Sequence, residues 1–346
     1  MTITLEDRRA LGRTDVRLTP LGLGGGALGG MYTTVDEDAA IATVLAAHDG
    51  GVRYFDTAPL YGHGRSEQRL GRALAGLDRA DIVVGTKVGI AIDPLPEPGA
   101  GADERYADPF LLDGRYDFSR DGVLRSLEGS LGRLGLDRVD VVYIHDPDEA
   151  DSAVAPERRT GADHFDEVMK GAYPALAELR DEGVIGAIGV GLNGTQMLAR
   201  FVREADLDCV LLAGRYTLLE QQGLDDLLPL CGERDVSVVV GGVFNSGILV
   251  TGAVAGARYD YEPAGTEMLA RVAALEELCA LHGVTLPAAA LQFPLAHPAV
   301  AAVIPGVRDA AEVRTNHAAV TAEIPPAFWR AVRERGLIDS AAPIPS

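Results

Sequence analysis

Short runs rich in Val, Ile and Leu recur eight times along the chain, and stretches with apolar residues at helical spacing fill most intervals between them. Continuous apolar runs of this length suit strands buried on both faces. Strands that alternate with helices form parallel β/α units rather than segregated layers. The strand candidates are Leu21 to Gly24, Val52 to Phe55, Ile82 to Thr86, Val139 to Ile144, Ile185 to Val190, Cys209 to Leu212, Val236 to Val240 and Val300 to Ile304. Helices are expected over Asp36 to His48, Ser66 to Leu74, Arg120 to Leu134, Tyr173 to Glu182, Gln196 to Glu204, Gly223 to Glu233, Thr266 to His282 and Asp309 to Ala319. Eight such units predict an α/β fold, the (β/α)8 TIM barrel.

Ahead of the first run, RRALGRTDVRLTP alternates around a turn at Arg13 to Asp15, which predicts an N-terminal β-hairpin closing the barrel's bottom. Two insertions, Ile90 to Asp117 and Asp146 to Gly171, predict long loops at the C-terminal face. Loops of that length are either functional lids or disordered. No linker or internal repeat beyond the β/α unit divides the 346 residues, so 1–346 is read as one domain.

The net charge of −20 argues against an extended basic surface for nucleic acid or anionic lipid. No apolar run reaches the length of a membrane span and the N-terminus has no export segment, so a cytoplasmic protein without a membrane partner is expected. Cys209, Cys231 and Cys279 are odd in number and set among apolar residues, which predicts buried free thiols. No CxxC or HExxH spacing occurs, and no metal is expected.

Four residues carry the chemistry: Asp56 and Tyr61 in FDTAPLYG, Lys87 in VVGTKVG and His145 in VVYIHDPD. In a parallel barrel the C-terminal strand ends converge on one face, so acid, phenol, ammonium and imidazole would meet at one rim. The set resembles the catalytic tetrad of the aldo-keto reductases, and the similarity runs from PLGLGGG to AEVRTN. That resemblance implies Tyr61 as acid/base, Lys87 as the charge favouring its phenolate, Asp56 as the partner fixing Lys87, and His145 as the donor orienting the substrate oxygen. Within the family, RSLEGSLGRLGLDRVDVVYIHDPD and LQFPLAHPAVAAVIPG most resemble the subgroup of L-fucose or D-threo-aldose 1-dehydrogenases and pyridoxal 4-dehydrogenase. The implied activity is oxidation of a cyclic hemiacetal to a lactone. A broad NADPH-dependent aldehyde or ketone reductase is the enzymatic alternative, and a nucleotide-binding regulatory subunit with weak turnover the non-enzymatic one.

GLGGGALGG holds Gly24, Gly26 and Gly29 in the G-x-G-x-x-G spacing of a Rossmann fold. Against that reading, GMYTTVDED follows where a helix should open, and Asp56 lies beyond the usual spacing of about 20 residues. In a barrel, Gly25 and Gly26 let the backbone pass close under a cofactor; a flexible first loop is the plainer alternative.

The resemblance places a nicotinamide cofactor near the last strand ends. Phe244, Asn245, Ser246 and Gly247 in GGVFNSGIL, and Ile304, Gly306, Arg308, Glu312 and Asn316 in IPGVRDAAEVRTN, would hold its phosphates and adenosine, the latter segment opening a helix whose N-terminus can bind an anion. Tyr216 would stack on the nicotinamide and Asn193 would meet its carboxamide. The usual glutamine before the tyrosine is Ala213 here, and the usual Ser-Asn pair after strand five is Gly191 and Leu192. NADP-preferring members carry Lys, Ser and Arg where this chain has Gly306, Val307 and Glu312, so NAD is expected, with Arg308 leaving NADP use open. Tyr32, His63, His164 and Arg215 are the candidate contacts to a polar small-molecule substrate.

Overall fold

The computed structural model describes residues 3–31, 33–94, 112–149 and 161–345. A hairpin of β1 (Arg9–Ala10) and β2 (Arg17–Leu18) leads into β3 (Leu23–Gly24), α1 (Glu37–Asp49), β4 (Tyr54–Asp56), α2 (Arg65–Leu74) and β5 (Val83–Val88). A second hairpin, β6 (Ile90–Pro94) and β7 (Leu112–Tyr116), precedes α3 (Arg120–Leu134) and β8 (Val141–His145). Then come α4 (Phe165–Lys170), α5 (Ala172–Asp181), β9 (Ala187–Leu192), α6 (Thr195–Glu204), β10 (Cys209–Ala213), α7 (Leu227–Glu233) and β11 (Ser237–Gly241). The remainder holds α8 (Ile248–Thr251), the small hairpin β12 (Arg258–Tyr259) and β13 (Glu262–Pro263), α9 (Thr266–His282), α10 (Leu286–Leu295), β14 (Val300–Ile304), α11 (Ala310–Thr321) and α12 (Pro326–Glu334).

Eight strands pair in parallel in the order β3, β4, β5, β8, β9, β10, β11, β14. The seam between first and last closes through Leu21 against Val303 and Gly24 against Gly306, with the Gly24 N–H donating to the Pro305 carbonyl at 3.0 Å. Each strand predicted from the sequence is present. Most begin and end a residue or two later, as in Val141–His145 against an expected Val139 to Ile144. That shift places Asp56, Lys87 and His145 inside their strands, not beyond them. The helix expected over Gly223 to Glu233 breaks into a 3-10 turn at Gln222–Leu224 and α7.

The N-terminal hairpin forms in the expected register, Arg9 opposite Leu18 and Ala10 opposite Arg17. Leu11 and Leu18 enter the barrel interior with no exposure, packing with Val141, Ala187 and Val239. The Gly12 N–H donates to Ser237 Oγ at 2.7 Å and Arg9 donates to the Val300 carbonyl at 2.8 Å, so the hairpin grips the strands at their starting ends. The helices pack around the sheet with caps where the sequence supplies them: Asp36 for α1, Ser119 for α3 and Asp309 for α11 each accept from first-turn N–H groups.

The insertion expected as a loop over Ile90 to Asp117 begins and ends as the antiparallel pair β6–β7, with Ile90 opposite Tyr116. Its middle, residues 95–111, lies outside the described residues, as do 150–160 of the second insertion, whose far end folds as α4. All three cysteines are buried free thiols. Among the described residues no single helix is long and apolar enough to cross a membrane; α9 and α10 would suffice only as a pair bent by 99°.

Candidate active site

Side chains alternate along a strand, so residues two apart share a face. Asp56 follows Tyr54, Lys87 follows Gly85 and His145 follows Tyr143 on the inward faces of neighbouring strands, in a register that sets Asp56 beside Gly85 and Lys87 beside Tyr143. Lys87 Nζ donates to Asp56 Oδ2 at 2.6 Å and to the Thr57 carbonyl at 2.8 Å. Both partners are almost fully enclosed, at 1% exposure each. Burial raises the Asp56 carboxyl above the usual carboxylate range, and the Lys87 charge, its hydrogen bond and the nearby Tyr54 hydroxyl oppose that shift.

Tyr61 follows β4 in a tight loop, and its ring centre lies 4.7 Å from Lys87 Nζ. The His145 ring meets it edge-on at 5.9 Å and 88°. Phenol, ammonium, carboxylate and imidazole therefore come together at the C-terminal end of the barrel. Thr57 is a member that side-chain reasoning overlooked, because it acts through its main-chain carbonyl. Behind Lys87, on the opposite face of β5, Thr86 donates to the fully buried Glu67, which also takes the Arg133 guanidinium at 2.6 Å.

The cofactor candidates divide. The Gly25 N–H donates to the Asp56 carbonyl at 2.7 Å, and a Cβ there would press on that carbonyl and on Ser66 Oγ, so only glycine fits. Gly26 faces open space, with Met31 the nearest group at 3.5 Å. Asn193 is half-buried just past β9. Asn245, Ser246 and Gly247 are successive left-handed residues after β11. The Asn245 side chain, however, accepts from Thr217 at 2.6 Å and donates to the Gly214 carbonyl at 3.2 Å, while Ser246 Oγ accepts from the Tyr261 N–H. Phe244 is half-buried against the core. Ile304 ends β14, Gly306 continues the seam, and Asn316 is buried on α11. Glu312 accepts from both the main-chain N–H and the guanidinium of Arg308, each at 2.8 Å. At the first turn of α11, where an anion site is expected, the Asp309 carboxylate accepts from the Ala311 and Glu312 N–H groups.

Tyr216 does not face the mouth. It is fully enclosed, with Phe293 at 5.5 Å and His297 at 5.6 Å, in the layer between sheet and α10. Odd-numbered residues of β10 point inward, as Cys209 and Leu211 do, and Tyr216 lies past the strand on the outer side. Gly241, at the end of β11, is the position that does face inward: a Cβ there would meet Leu211 at 3.2 Å and Ala213 at 3.7 Å. Strand parity would have flagged it.

Among the substrate candidates, Tyr32 lies outside the described residues. His63 is buried with a positive φ of 51°. His164 pairs with Glu149 at 2.8 Å and Glu167 at 2.7 Å and stacks on Tyr116. Arg215 forms a two-pronged pair with Asp260. These commitments hold His164 and Arg215 as struts between mouth segments.

Fold and rim together define an oxidoreductase built on a (β/α)8 barrel. The aldo/keto reductase family model matches residues 20–335, and the chain belongs to that family, whose cofactor is a nicotinamide dinucleotide. It is 38% identical to pyridoxal 4-dehydrogenase of Microbacterium luteolum, over 98% of this chain and all of that protein. It is 39% identical to D-threo-aldose 1-dehydrogenase of a Pseudomonas species, over 92% of this chain and 94% of the relative. The holo form of the aldo-keto reductase AKR11C1 from Bacillus halodurans superimposes with a TM-score of 0.70 at 26% identity, covering 97% of each chain.

Proposed function

We propose that the protein oxidises a cyclic hemiacetal, either an aldose such as L-fucose or pyridoxal, to its lactone, with NAD preferred. The observation that carries this reading is the position of Lys87 Nζ between Asp56 and the Tyr61 ring, 2.6 Å from the carboxylate and 4.7 Å from the ring centre. Two dehydrogenase relatives of nearly full-length similarity support the oxidative direction.

A bound nicotinamide supplies the hydride acceptor. The small rim positions suit such a group: an added Cβ on Gly26 or Gly306 would meet nothing closer than 3.5 Å, and Gly25, Ala213 and Gly241 put no bulky side chain at the mouth. Tyr61, as phenolate, takes the proton from the hemiacetal hydroxyl as its carbon loses hydride and the lactone carbonyl forms. A nearby ammonium favours a phenolate by about 1 to 3 units, which is the role of Lys87. Asp56 and the Thr57 carbonyl hold that ammonium in place. His145 donates to the reacting oxygen and sets its angle to Tyr61.

NAD preference rests on Glu312, which occupies Arg308 and brings a carboxylate that repels a 2′-phosphate yet can accept from a 2′-hydroxyl. The test is initial-rate formation of NADH and NADPH from L-fucose, other aldoses and pyridoxal at mildly alkaline pH, with Tyr61→Phe as control. Tyr61-dependent NADH formation from one hemiacetal is the expected result. Nucleotide binding without turnover on any of them would favour a regulatory barrel, and turnover only as NADPH-dependent reduction a general reductase.

A further inference from the structure

Directly beneath the tetrad, the barrel holds two tyrosines where aliphatic side chains would fill the space as well. Tyr54 and Tyr143 are both fully enclosed, and their hydroxyls lie 3.0 Å apart. Two glycines make the arrangement fit. A Cβ on Gly85 would stand 3.1 Å from the Tyr54 hydroxyl and 3.5 Å from Asp56 Oδ1, and one on Gly189 would overlap the Tyr143 ring at 2.5 Å. Four inward positions on three strands plus β9 are thus committed to laying two phenols across the barrel axis, under the ion pair. A buried hydroxyl must have a partner to offset its desolvation, so a purely space-filling role would favour Phe.

Asp56 shows what the phenols can serve. Lys87 takes Oδ2, while the other oxygen, Oδ1, is buried without a hydrogen-bond partner among the described residues. The Cβ position of Gly85 lies within 3.5 Å of both this oxygen and the Tyr54 hydroxyl, so the two border one small gap, and the hydroxyl favours the charged carboxylate. The proton directions are consistent: Cys209 Sγ–H points to the Ile188 carbonyl, Tyr143 can donate to Tyr54, and Tyr54 is left with its own proton for Asp56.

We propose that Tyr54, backed by Tyr143, is a positioning residue for the ion pair: its buried hydroxyl stands on the side of the unpartnered Asp56 Oδ1, favours the carboxylate charge there and so steadies the partner that holds Lys87 beside Tyr61. The titratable groups around the pair are Lys87 from β5 on Asp56 itself, Tyr54 from its own strand, Tyr143 from β8 and Cys209 from β10 below, Tyr61 from the following loop beside Lys87, and His145 from β8 beside Tyr61. Burial holds both tyrosines and Cys209 well above their ordinary ranges, so none of the three changes charge near neutrality. Removing the Tyr54 hydroxyl leaves the Asp56 charge less well solvated, favours the neutral carboxyl and weakens the field that favours the Tyr61 phenolate.

The inference rests on Tyr61 as the proton carrier but needs no substrate for its test. Near-ultraviolet phenolate absorption is titrated in the full-length protein and in Tyr61→Phe, and the difference isolates Tyr61. The same difference is then taken in a Tyr54→Phe background. The Tyr61 midpoint should move to higher pH by about one unit, tenfold less phenolate at a fixed pH below it. Tyr143→Phe, which spares the Tyr54 hydroxyl, should give a smaller shift in the same direction; it serves also if Tyr54→Phe folds poorly. An unmoved Tyr61 midpoint in folded Tyr54→Phe overturns the proposal, as does no shift in Tyr143→Phe when Tyr54→Phe cannot be titrated. Failure of every hemiacetal as substrate would defeat the functional reading and leave the titration result standing.

Discussion

Asp56 and Lys87 form a 2.6 Å ion pair at the centre of the barrel mouth, sealed from solvent on both sides. Breaking such a pair from one side leaves an uncompensated buried charge, at a cost of about 3 to 5 kcal/mol. Asp56→Asn and Lys87→Met should each lower stability on that scale in urea unfolding, and the double variant should lose less than the sum of the two. Additive losses would mean the pair is not coupled. Lys87→Met should also cut turnover by about 10² to 10⁴ while changing nucleotide affinity little.

The proposed NAD preference turns on the contacts of Glu312 with Arg308. Glu312→Lys removes the repelling carboxylate and frees the guanidinium, so the NADP to NAD ratio of kcat/KM should rise by about tenfold or more, the scale of a charge-assisted hydrogen bond. An unchanged ratio would place the discrimination elsewhere along α11.

His297 sits behind the sheet against Tyr216, and burial lowers its pKa below the ordinary imidazole value. The unfolded chain takes up a proton near pH 6.5 where the folded chain resists it. The stabilisation is therefore complete above about 6.5 and is lost as pH falls through the lower folded value. His297→Gln should flatten the decline in unfolding free energy from about pH 7 to 5. A decline as steep as in the parent protein would assign it to other groups.

The seam between β14 and β3 has no space for a side chain at Gly24, where a Cβ would approach the Ile304 carbonyl to 2.8 Å. Gly24→Ala should cost about 1 to 3 kcal/mol through overpacking, read as a lower thermal midpoint. Gly26→Ala, two residues on and facing open space, should leave the midpoint within a degree or so of the parent.

The barrel was legible because fully buried parallel strands demand continuous apolar runs, and every one of the eight is present. Helix α10 escaped notice for the opposite reason. LPAAALQFPL is buried along nearly its whole length, so it has no polar stripe to set a period, and Pro294 lies inside it. The strands β6 and β7 were hidden by the Pro- and Gly-rich stretch they flank. Asp56, Lys87 and His145 could be found because each stands near a strand end that the barrel brings to one rim, and Tyr61 because it follows one of those ends in a short loop. Tyr216 misled because a resemblance of motif does not report which side of the sheet a residue beyond a strand end will face. Arg215 and His164 looked available in sequence since their carboxylate partners, Asp260 and Glu149, are contributed by segments far away or by opposite ends of a loop.

The hairpin that plugs the starting ends of the strands gives the molecule a handle. Its turn, around Thr14 and Asp15, lies on the floor with Asp15 exposed, while Tyr61 and His145 stand at the opposite end of the barrel. Anything fastened there, a bead, an electrode or a fused partner, would leave the doorway turned toward solution. Orientation on a surface could thus be chosen through two residues that take no share in the reaction.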